Sequence, residues 1–129
     1  MELTLINEQL RREEPDSLIL QSYDARGREL VLAFTCDGGP REDEALVVRF
    51  HNAALFHLPS VLHTPVFFRI AEAEEAQRLV PPASYDAEEL SGKGGGFTVV
   101  VLESQEGSPY GFYIAAESGD ATWEPRIDP

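Results

Sequence analysis

Lysine is nearly missing from this chain: Lys93 stands alone against nine arginines. Bases of either kind are few, 10 against 23 acids, for a formal net charge of −13 over 129 residues. That imbalance repels nucleic acid and anionic membrane surfaces and favours a basic protein as partner. A single cysteine, Cys36, excludes an intramolecular disulfide. No run approaches the ~18 apolar residues of a membrane-spanning helix. Met1–Ile6 places no basic stretch ahead of an apolar one, so no signal peptide is expected. These shortages together point to the cytoplasm.

Catalytic signatures are missing as well. The chain has no Gly-x-Ser-x-Gly elbow, no His-Glu-x-x-His pair and no dinucleotide fingerprint. Gly92–Gly96 superficially resembles a phosphate cradle. A P-loop, however, puts glycine six residues before its lysine and a helix after it, whereas here Ala87 holds that position and Gly94 follows Lys93. The segment reads as a connector. No cofactor and no metal are expected, and the protein reads as a binding module more than as an enzyme.

What is present supports a folded domain. The apolar fraction is 43%, the apolar residues lie in coherent runs, and the length fits one domain spanning 1–129. The acids are dispersed: residues 1–64 hold 11 acids and 6 bases, and residues 65–129 hold 12 acids and 4 bases. The densest cluster is Glu42-Asp43-Glu44.

Along the chain, Asn7 is an expected N-cap for a short helix over Glu8–Glu14 that Pro15 stops, with Ile6 and Leu10 on one face; a strand over Glu2–Ile6 is the rival. Leu18–Asp24 and Arg28–Cys36 read as a hairpin whose turn uses Gly27 for its left-handed residue. Leu30, Leu32, Phe34 and Cys36 then share one face. Glu44–Asn52 alternates Leu46, Val48 and Phe50 with Val47, Arg49 and His51. Residues 53–64 read as a buried irregular crossover around Pro59. Thr64–Ala71 reads as a strand with Val66, Phe68 and Ile70 inward.

Ala71–Val80 is the clearest helix, with Ala73, Ala76 and Val80 as its stripe and Pro81-Pro82 as its stop. Asp86 and Glu89 suggest a further helical turn. Phe97–Glu103 and Tyr110–Glu117 form a second hairpin, the first strand apolar on both faces and therefore central. The tail from Ala121 to Pro129 is expected to be loose or anchored by Trp123. The sum is an α+β fold, a mostly antiparallel sheet of about six strands with two short helices.

Several residues invite a chemical reading. His51, His57 and His63 fall at equal spacing, but six residues of strand span about 20 Å at ~3.3 Å per residue, so regular structure cannot bring them to one ion. Cys36 lacks a Cys-His motif and reads as a small buried hydrophobe. Glu72 and Glu75 lie at helical spacing, which chance supplies readily among so many acids.

The constellation of most interest is Arg49, His51, Arg69 and Tyr113. On the strand phases above they point away from the main core face, where two arginines could recognise a carboxylate or phosphate. Their alternative role is pairing with acids such as Glu29 or Glu117. The leading expectation is an acidic, non-catalytic interaction module, an inhibitor or immunity-type neutraliser of a basic protein. The alternative is a small-molecule or anion-binding domain, or a weakly disguised enzyme, working through the arginine-bearing face. A homodimer through a sheet edge is the third expectation.

Overall fold

A computed structural model of the chain describes residues 1–80 and 97–126. The expected Pro81-Pro82 stop, the turn at Asp86 and Glu89, and the glycine connector all lie outside the described residues, as do the last three positions of the tail.

The order is α1 (Thr4–Glu13), β1 (Ser17–Asp24), β2 (Glu29–Thr35), β3 (Glu44–His51), β4 (Leu55–His57), β5 (Val61–His63), β6 (Phe67–Ile70), α2 (Ala73–Leu79), β7 (Thr98–Glu103), β8 (Pro109–Ala116) and β9 (Ser118–Pro125). The α+β organisation with antiparallel pairing is present. Its strands, however, number nine among the described residues and divide into two sheets, β5-β1-β2-β3-β9 and β4-β8-β7-β6.

The two sheets share one core. Leu30, Leu32, Phe34, Leu46, Val48 and Phe50 of the first meet Phe68, Val100, Leu102 and Ile114 of the second. Phe68 stands at the junction, edge-on to Phe34 at 5.9 Å and to Phe50 at 5.6 Å. Burying such a side chain stabilises the fold by about 1.5–3 kcal/mol. Ile6 and Leu10 of α1 close the same core, as their i, i+4 spacing requires. The outer face of the four-stranded sheet packs Val99, Val101, Tyr113 and Ala115 under Ala76 and Val80 at α2. This second apolar layer explains why β7, set between β6 and β8, is apolar on both faces. On the outer face of the five-stranded sheet, Val31, Ala33, Ala45 and Val47 pack side by side.

Several expectations are corrected. Asn7 lies inside α1 and does not cap it; the N-cap position is Leu3. Arg28, at φ 54°, is the left-handed residue of the β1–β2 turn, not Gly27. A side chain at Gly27 would instead meet the Asp24 carboxylate at 2.9 Å. The register of β1 slips between Leu20 and Ser22. That bulge turns Tyr23 inward, where it packs edge-on against Phe56 at 4.9 Å and donates to the Ala53 carbonyl at 2.7 Å.

Residues 53–64 are not irregular throughout. They hold β4 on β8 and β5 on β1, so the chain passes here from one sheet to the other. Ile70 is 44% exposed, not inward, because the inward parity ends with Phe68 near the strand's end. Ala73 is likewise exposed, leaving Ala76 and Val80 as the buried stripe. The tail is not loose through residue 125: β9 pairs with β3 along its whole length. Trp123 pins it, donating to Gln9 at 3.1 Å beneath the Arg41 guanidinium, 4.2 Å from the ring centre.

Candidate functional site

The four residues that sequence reasoning grouped do not lie on one face. Arg49 and His51 stand on β3, in the five-stranded sheet, whereas Arg69 and Tyr113 stand on β6 and β8 of the other. The inner faces of both sheets are occupied by the shared core, so the two pairs look outward from opposite layers. Arg49, His51, Arg69 and Tyr113 each point away from the shared core, but the existence of a second sheet divides the quartet.

Each half is an ion-pair system. Arg49 grips Glu124 with two nitrogens, the longer contact 3.0 Å, and has Glu29 at 3.9 Å. Hydrogen bonding to Arg49, with help from the Thr122 hydroxyl, holds the Glu124 carboxyl down to about 2, and the same contact raises Arg49. Both ring nitrogens of His51 face carboxylates, Nε2 to Asp120 at 2.7 Å and Nδ1 to Glu29 at 3.6 Å. Ser118 sits opposite His51 across the strands, yet a serine nucleophile needs a ring nitrogen free to take its proton. Glu117 pairs with Asn52 at 2.9 Å and leaves the arginines to other acids.

On the other sheet, Arg69 is bidentate to Glu75 at 2.8 and 2.9 Å and gives its Nε–H to Glu103 at 2.8 Å. These bonds raise Arg69 and lower Glu75. Glu75 also closes a reciprocal capping box with Glu72 at the start of α2. The Glu72/Glu75 spacing thus belongs to a helix cap and to a clamp that ties α2 to β6 and β7. Tyr113 is 7% exposed in the layer beneath α2, with the His57 ring 6.1 Å away.

His51, His57 and His63 lie on three separate strands, and no three His, Cys, Asp or Glu side chains among the described residues converge on a metal position. Cys36 is buried, and burial, reinforced by the charges of Asp16, Glu13 and Asp37, pushes its thiol up. A raised thiol pKa opposes nucleophilic use at neutral pH.

A concave surface lies away from these residues. Two adjoining clefts of about 280 and 470 Å³ share Arg11, Phe67 and Gln105, between α1, β6 and the β7–β8 turn. Sequence reasoning missed them. The available signal was Phe67, a large aromatic in the outward phase of its strand. A contact between Arg11 and a ring 56 positions away has no sequence signature.

No described helix is long and apolar enough to cross a membrane. Comparison with protein-family models, with curated proteins and with solved structures finds no match.

Proposed function

We propose that this protein is an acidic, non-catalytic interaction module of the cytoplasm that binds a basic protein, as an inhibitor or immunity-type neutraliser does. The observation that carries the reading is the engagement of Arg49 and Arg69 in ion pairs, within a chain of net charge −13. Neither guanidinium is left to receive an anion, whereas most of the acids remain uncompensated. Both nitrogens of His51 face carboxylates and the thiol of Cys36 is buried, which leaves these two groups poorly placed as base or nucleophile. A carboxylate or phosphate site on an arginine-bearing sheet face loses its support when the two arginines lie on different sheets.

A surplus of exposed acid speeds encounter with a basic partner and is screened by salt, because the Debye length falls from about 10 Å at 0.1 M to about 3 Å at 1 M. The test is a pull-down with the tagged protein at low and high salt, followed by affinity measurements on the purified pair. A basic protein retained at low salt and released at high salt supports the proposal. Affinity independent of salt overturns it.

A further inference from the structure

The place where such a partner docks follows from the twin cleft beside α1, and the inference rests on the reading above. The smaller cleft has an apolar wall of Leu10, Pro15 and Val66, and Phe67 floors both. The rim is acidic. Glu14 and Asp16 stand beside the smaller cleft and Glu103 and Glu106 beside the larger. Arg69 pairs with Glu103 and shares its charge with Glu75. Glu14, Asp16 and Glu106 have no ion-pair partner among the described residues, so three carboxylates face the one cation, Arg11.

Arg11 crosses the groove. Its guanidinium rests 5.5 Å from the centre of the Phe67 ring and makes no salt bridge among the described residues. The fold thus already seats one guanidinium on an aromatic floor inside an acidic rim, an arrangement attractive to any cation. The charge balance rules against an anionic ligand. Pairing of a peptide as an added strand is also opposed, because the Asn7 amide occupies both backbone groups of Phe68 on β6, at 2.9 Å to the N–H and 2.8 Å to the carbonyl. A ligand must therefore bind through its side chains.

We propose that this groove receives a segment of the basic partner in which an arginine lies next to an aliphatic residue. The partner's guanidinium displaces Arg11 from Phe67 and faces Glu14, Asp16 and Glu106, while the aliphatic side chain enters the cleft walled by Leu10, Pro15 and Val66.

The test is an NMR titration of the ¹⁵N-labelled full chain at low salt with three peptides, acetyl-Gly-Arg-Leu-Arg-Gly-amide, the same peptide with serine for leucine, and the same with glutamate for arginine. The arginine–leucine peptide should shift amides of residues 10–16, 64–68 and 103–107 first. The serine peptide should bind severalfold more weakly and the glutamate peptide should cause no shifts. Glu14→Lys and Glu106→Lys should each weaken binding about three- to tenfold, the scale of exposed charge pairs. Glu117→Lys, at the far end of the five-stranded sheet, should stay within about twofold.

Shifts spread over all acidic surfaces, with the serine peptide binding equally well, would overturn this site and leave the acidic-module reading standing. No binding of the arginine–leucine peptide would overturn both. The turn between β1 and β2 exposes two arginines, Arg26 and Arg28; a mass that rises with concentration and falls back in the Arg26→Ala/Arg28→Ala variant would make a second copy the occupant and overturn the foreign partner.

Discussion

Removing the Asn7 amide should unlock the edge of the four-stranded sheet. β6 is the outer strand, and Asn7 completes its pairing as a neighbouring strand would, accepting from the Phe68 N–H at 2.9 Å and donating to the Phe68 carbonyl at 2.8 Å. Each such bond contributes about 0.5–1.5 kcal/mol net, so the pair contributes about 1–3 kcal/mol. Alanine recovers about 0.5 kcal/mol of helix propensity over asparagine. Asn7→Ala should therefore lose about 1.5 kcal/mol, which for a chain of this size lowers Tm by about 5–8 °C.

The assay is urea unfolding followed by circular dichroism, with Glu8→Ala on the exposed face of α1 as control. Light scattering should also detect association, because β6 then presents unpaired backbone groups. Asn7→Asp sharpens the test. Its carboxylate keeps the acceptor but opposes the Phe68 carbonyl, so the variant should be less stable than Asn7→Ala at neutral pH. Protonation restores a donor, so the folded-state pKa is raised above the ordinary Asp value of about 3.9; stability returns as pH falls through that raised value and is fully recovered near the ordinary one. An Asn7→Ala variant as stable as the wild type, or more so, would refute the reasoning, since propensity alone would then account for the change.

Other outcomes follow from the same contacts. Arg69→Met should release α2 from β6 and β7 and lower the urea midpoint at neutral pH; because Glu75 is held below its ordinary value, its contribution is present above that value, is lost as pH falls through the depressed one, and the gap to wild type should close in acid. The Glu124 carboxyl should titrate near 2 by ¹³C NMR and return towards 4.5 in Arg49→Met; a midpoint unmoved by the substitution would refute the pairing. Gly111→Ala should cost about 1–2 kcal/mol in urea unfolding from backbone strain alone, since φ is +87° and nothing lies within 4 Å of the added carbon. Phe68→Ala should cost about 3–5 kcal/mol, because the ring joins the two sheets.

The charge, the alternating strands and the helix faces were legible in the sequence because each depends on neighbours only a few positions apart. Leu30, Leu32 and Phe34 had to share a face at period two, as Ile6 and Leu10 did on one side of a helix, and the structure keeps both sets in the core. The tertiary structure alone decided which sheet each strand joined. Hydrogen bonding between β3 and β9, some 70 residues apart, made a strand of a tail that carries Gly119 and Pro125. The short β4 and β5 exist only because β8 and β1 offer them edges.

That same long-range pairing set the fate of the arginine–histidine quartet. Parity along a strand says which way a side chain points, but it carries no information about which sheet the strand enters, so residues in matching phase came to lie on opposite layers. The Arg11–Phe67 groove was out of reach for the same physical reason: α1 and β6 meet through packing of the folded chain, and no local preference in either segment encodes that meeting.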